Sequence, residues 1–161
     1  MPLLAPLFPR GPIDVRRWLN VLPPDGTVPH MRGWRWVHTP GHAPGHVSLW
    51  READRSLIVG DAFITTNQES AYAVAVQRPE MHGPPKYFTP DWEAAGQSVS
   101  KLAALGPEVV ITGHGRAMAG LQMREALYEL DHAFVQVAVP EGGHYVLHPA
   151  RATDGTAYAT P

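Results

Sequence analysis

Three residues of this 161-residue chain pair metal-binding chemistry with a common structural address: His42, Asp61 and His114. Each follows a segment that reads as a strand. His42 lies in the loop Thr39-Pro40-Gly41-His42-Ala43-Pro44-Gly45, after the aromatic, alternating run Trp34–His38. Asp61 directly follows Ser56–Gly60, and His114 sits in Gly113-His114-Gly115 after the β-branched run Glu108–Thr112. Imidazole nitrogens and a carboxylate suit zinc or another divalent first-row metal. Open α/β sheets place functional groups just beyond the carboxyl ends of strands. The glycines at 41, 60, 113 and 115 allow sharp turns there. Each residue also has an ordinary reading: a histidine after a strand is commonly solvated or packed, and Gly-Asp is commonly a turn. His38, His42 and His46 recur every four residues, but Pro40, Gly41, Pro44 and Gly45 forbid a helix and with it a helical two-histidine site. His38 is therefore expected to be a packed or hydrogen-bonded strand residue. His46 is expected to orient the loop carrying His42 without binding metal itself. His144 and His148 read as surface residues.

The elements that must position these residues run as consecutive strands, then helix, strand and helix. Strands are expected at 34–38, 46–50, 56–60 and 108–112, with a further one at 71–78 and one at 144–147. Pro23-Pro24-Asp25-Gly26 is a turn. Thr89-Pro90-Asp91 opens a helix with Thr89 as N-cap, and Trp92, Ala95, Val99 and Leu102 form its buried stripe. Gly106-Pro107 ends it. A second helix is expected over about 119–138, burying Met123, Leu127, Leu130, Phe134 and Val137.

Composition bounds the function. The length suits one domain, read over 1–161 with an extended segment at 1–19 and a loop-rich tail at 140–161. Lys plus Arg is 13 against 15 Asp plus Glu, which argues against a dedicated nucleic-acid binder. There is no cysteine, so disulfides, thiolate metal sites and cysteine nucleophiles are excluded. No run approaches the roughly 20 apolar residues of a membrane helix. Met1–Arg10 is broken by prolines and has no basic start of the signal-peptide kind, so the chain reads as cytoplasmic, with neither membrane nor nucleic acid as partner.

The segment His38-Thr-Pro-Gly-His-Ala-Pro-Gly-His-Val-Ser-Leu49 resembles the T-P-G-H-T-x-G-H segment of the metallo-β-lactamase fold hydrolases, glyoxalase II-like enzymes among them. Leu57-Ile-Val-Gly-Asp61 resembles the strand carrying that family's metal-bridging aspartate, and Thr112-Gly-His-Gly115 its last metal-binding histidine. Order and spacing agree over roughly residues 20–135, with 19 residues from His42 to Asp61 and 53 from Asp61 to His114. The resemblance implies a metal-dependent hydrolase of a small-molecule ester, thioester or lactam. In it His42 would serve a first zinc, Asp61 would bridge, and His114 would serve a second.

The family's H-x-H-x-D-H motif has no counterpart here, since no two histidines are separated by one residue. The fold class expected is α/β: a metallo-β-lactamase-type half-sandwich, mostly sheet covered by two helices, lacking the amino-terminal half of the αββα fold. Such a half would present a sheet face of about 350 Å² that demands cover. A homo-oligomer, or an amino-terminal half as partner, is therefore expected. A non-catalytic assembly or binding module is the alternative to a hydrolase.

Overall fold

The computed structural model describes residues 14–76 and 78–158. The first thirteen residues of the segment expected to be extended lie outside them. Within the remainder of that segment, Arg16–Trp18 forms a 3-10 turn.

Five strands form one sheet in sequential order: β1 (Trp34–His38), β2 (Val47–Arg51), β3 (Ser56–Gly60), β4 (Val109–Thr112) and the two-residue β5 (Met118–Ala119). β1, β2 and β3 pair antiparallel, β3 and β4 parallel, β4 and β5 antiparallel. Two antiparallel steps restore direction, so β1, β3 and β4 all run the same way. Their carboxyl ends share one edge of the sheet.

Alternation sorts the two faces. Leu57, Val59 and Val110, all fully buried, point to the side covered by α2 (Trp92–Ala104) and α3 (Gly120–His132). They join Val99, Leu102, Met123, Leu127, Leu130 and Phe134 in one core cluster. On the opposite face the pairings Trp36↔Leu49, Leu49↔Ile58 and Ile58↔Ile111 line up an apolar row. Three of its members are half-buried and Ile111 is 44% exposed.

α2 forms where the stripe at 92, 95, 99 and 102 requires, but its N-cap is Asp91. The Asp91 carboxylate accepts the Ala94 N–H, while Thr89, two positions earlier, is buried and donates to the Pro85 carbonyl. Three further expectations are corrected. Residues Ala71–Val76, read as strand, form a short helix, α1. Alternating Ala-Tyr-Ala-Val mimics a strand period, yet none of these side chains is buried, so no sheet face holds them. Ser70 instead caps a turn by accepting the Ala73 N–H. The long second helix breaks at Ala133 into α3 and α4 (Phe134–Val137). The break shifts the helical register, leaving Val137 exposed and burying Ala138. His144–Leu147 is a single helical turn, α5, with no strand among the described residues paired to it.

Among the described residues no helix is long and apolar enough to cross a membrane.

Candidate metal centre

The shared edge brings His42, Asp61 and His114 together. Asp61 Oδ2 lies 3.6 Å from His42 Nε2, and Asp61 Oδ1 lies 3.6 Å from His114 Nε2. Each oxygen of one carboxylate thus faces a different imidazole. These gaps are too long for hydrogen bonds. Asp61 Oδ1 is buried and has no hydrogen-bond partner among the described residues. Buried polar atoms are normally satisfied, so an orphan carboxylate oxygen facing an imidazole nitrogen is informative. Two ligands of one tetrahedral ion, each about 2.1 Å from it, lie about 3.4 Å apart. The donor set and spacing therefore fit a divalent metal. The arrangement is two facing pairs sharing Asp61; among the described residues no three such side chains form one metal-holding group.

Three devices hold the pairs. The His42 loop is tied to α2, where the Ser98 hydroxyl donates to the Pro40 carbonyl at 2.6 Å and the Asp91 N–H to the Gly41 carbonyl at 3.3 Å. His42 Nδ1 lies 3.4 Å from the buried Thr89 hydroxyl. Burial is the larger influence on His42 and pulls its pKa below the ordinary imidazole value, outweighing the Asp61 carboxylate. The His114 loop is held by Thr65, whose N–H donates to the His114 carbonyl at 3.0 Å and whose hydroxyl reaches Thr112, His114 and Arg116.

Asp61 is placed by Gly60 and His46. Gly60 has φ +64°, a turn conformation that side chains with a Cβ rarely adopt, and a Cβ there would meet His46 Nε2 at 2.6 Å. His46 Nε2 accepts the Asp61 backbone N–H at 3.0 Å. Its other nitrogen lies 2.8 Å from the Thr39 hydroxyl and 3.1 Å from the Thr39 carbonyl. Burial, then the neighbouring His42, lowers the His46 pKa. His46 therefore touches Thr39, at the start of the His42 loop that it was expected to orient, and also the Asp61 backbone, a contact not read from the sequence.

His38 lies on β1 with Nε2 2.8 Å from the Pro44 carbonyl, and His144 and His148 are exposed. Thr39, Ser48 and Thr65 were not singled out from the sequence, and Thr89 only as a helix cap. Ser48 carried a usable signal, because it shares the core-facing side of β2 with Trp50 and is fully buried there.

A strand-end aspartate facing two loop histidines, on a mixed sheet with helices on one side, is an arrangement suited to a divalent metal. The chain belongs to the metallo-beta-lactamase superfamily, whose sequence profile matches residues 2–114. It is 52% identical over 127 residues to the probable metallo-hydrolase YflN of Bacillus subtilis (strain 168), covering 79% of this chain and 48% of that protein. It is 32% identical over 81 residues to the probable metallo-hydrolase YybB of the same organism, covering 50% of this chain and 32% of that one. The chain thus spans half or less of the length of these curated relatives. Among solved structures, the metallo-beta-lactamase family protein TTHA1429 from Thermus thermophilus is similar with a TM-score of 0.42 and 26% identity, over 63% of this chain and 30% of that one. TTHA1623, in a di-iron-bound form, is similar with a TM-score of 0.39 and 26% identity, over 65% and 50%.

Proposed function

We propose that His42, Asp61 and His114 are metal ligands of a hydrolytic centre acting on a small-molecule ester, thioester, lactam or similar bond. The observation that carries this reading is the Asp61 carboxylate, whose two oxygens face two imidazoles at 3.6 Å while Oδ1 is buried and unpaired. Asp61 would be shared, with His42 on one side and His114 on the other. A bound zinc or other divalent ion would supply Lewis acidity and lower the pKa of bound water. The chain's own residues hold the donors in register: Thr89 faces His42, Thr65 fixes the His114 loop, and His46 fixes the Asp61 backbone. Two donors per metal fall short of the four of a closed tetrahedral set or the three of a catalytic one. The remaining donors would come from a second copy or from an amino-terminal half of the same fold, and the reading places the protein in the cytoplasm.

A second reading, an assembly or binding module without catalysis, is favoured by the apolar row Trp36–Leu49–Ile58–Ile111 on the face opposite the helices, where Ile111 is exposed.

Zinc titration followed by calorimetry, with hydrolysis of a generic thioester and ester, tests the proposal. Zinc binding by the wild-type chain that disappears in Asp61→Ala and His42→Ala supports the metal centre, and thioester turnover supports the hydrolase. Binding that survives Asp61→Ala overturns the assigned ligands. A zinc-binding chain inert on both substrate classes favours the module.

A further inference from the structure

We propose that His46, Thr39 and Ser48 form a one-way hydrogen-bonded clamp across Gly60 that fixes where the Asp61 carboxylate points. The inference rests on Asp61 being a metal ligand, and its structural half can be read without any metal.

The direction of each proton follows from the far end. The Val59 carbonyl can only accept, so the Ser48 hydroxyl donates to it, at 2.8 Å. Ser48 has one proton, so at 3.0 Å the Thr39 hydroxyl donates to Ser48 Oγ. Thr39 has then spent its own proton and accepts from His46 Nδ1 at 2.8 Å. The Thr39 carbonyl, 3.1 Å from the same nitrogen, can likewise only accept. Nδ1 must therefore carry the imidazole proton. At the other end the Asp61 backbone N–H donates to Nε2 at 3.0 Å, which requires a bare lone pair on that nitrogen. A neutral imidazole has one N–H and one lone pair, so both ends agree on one tautomer.

The clamp begins at the carbonyl of Val59 and ends at the N–H of Asp61, with only Gly60 between. It therefore grips the two peptide groups on either side of the turn at φ +64° that swings Asp61 off the strand. The β3–β4 register shifts between Ile58 and Gly60, so the clamp acts where the sheet ladder is irregular. His46 reads as a positioning residue: it acts on the ligand's backbone, with no place in the ligand set.

The test has two arms. On metal-free, ¹⁵N-histidine-labelled wild-type chain at neutral pH, long-range nitrogen–proton correlation spectra report the His46 tautomer. Nδ1–H is expected, and an Nε2–H tautomer overturns the clamp whatever the metal does. In the second arm, cobalt(II) titration is followed by its visible absorption in wild type, His46→Ala, His46→Gln and Ser48→Ala. Loss of the supporting contact in His46→Ala should weaken cobalt binding about 10–100-fold. Gln, which can present an acceptor toward the Asp61 N–H and a donor toward Thr39, should recover most of the affinity and the wild-type spectrum. Ser48→Ala, the milder variant should His46→Ala not fold, should weaken binding with an altered spectrum. Unchanged affinity in folded His46→Ala or in Ser48→Ala overturns the positioning role. A wild-type chain with the Nδ1–H tautomer but no cobalt binding leaves the clamp standing and overturns metal binding by this chain alone.

Discussion

Replacing Gly113 by alanine should separate the metal site from the fold. Gly113 directly follows β4, and a Cβ there would lie 2.3 Å from Asp61 Oδ1 and 3.1 Å from its carboxyl carbon. Ordinary contact begins at 3.4 Å, so the carboxylate must swing away by about 1 Å. The backbone need not move, because Gly113 does not sit at positive φ and its N–H bond to the Gly60 carbonyl, at 2.8 Å, uses no side chain. Metal–ligand distances tolerate only about ±0.2 Å, so a displacement several times larger removes Asp61 from either facing pair. Loss of a merely supporting residue costs 10–100-fold in affinity, and loss of the shared ligand should cost about 100-fold or more. Stability should change by less than about 1 kcal/mol, since the lost unfolded-state freedom of glycine offsets part of the crowding.

The assay is zinc titration by calorimetry beside thermal melting of the metal-free chain. Gly45→Ala is the control: Gly45 also belongs to the motif around His42, yet a Cβ there meets nothing within 4 Å. Wild-type zinc affinity in Gly113→Ala, or an equal loss in Gly45→Ala, would refute the geometry on which the site rests.

Burial lowers the pKa of both His42 and His46 below the ordinary 6.5. The unfolded chain takes up protons first on acidification, so their contribution to stability is full above about pH 6.5 and is lost as pH falls toward the depressed folded values. Melting of the metal-free chain should therefore drop as pH falls below about 6.5 and shift less in His46→Gln; a flat profile contradicts this. Phe134 packs at 6.4 Å on Trp92 and against Gly96, so Phe134→Ala should cost about 3–5 kcal/mol in urea unfolding. If a second copy covers the open face, Ile111→Lys should shift light-scattering mass toward the monomer at unchanged helix content, and an unchanged mass would move that interface elsewhere.

The strands that carry the site were legible because their residues obey a strand's demands twice over, in β-branched or aromatic content and in punctuation by glycine or proline. Trp34–His38 and Ser56–Gly60 begin and end where the sequence places them. Three strand ends with a histidine or aspartate just beyond them then suffice to predict convergence, once β1, β3 and β4 share a direction. In the two segments wrongly read as strands, the burial that ought to decide was absent. Neither 71–76 nor 144–147 contains a fully buried residue, and at 71–76 the Ser70 cap prevails over the alternation.

The supporting shell was harder to see for a different reason. Thr39, Ser48, Thr65 and Thr89 are fully buried hydroxyls, and composition treats threonine and serine as neutral filler. Their importance follows from cost: a hydroxyl taken out of water without a partner loses about 1–3 kcal/mol, so each buried one implies a bond to something nearby. On β2 that inference was available, because Ser48 alternates with Trp50 and must face the core where an apolar residue is expected. A polar residue in a core-facing strand position, close along the chain to a candidate ligand, therefore predicts a support for that ligand. Here the partner it finds is the Val59 carbonyl, two residues from Asp61. The same violation of pattern that weakens the core locally is what anchors the turn on which the candidate metal centre depends.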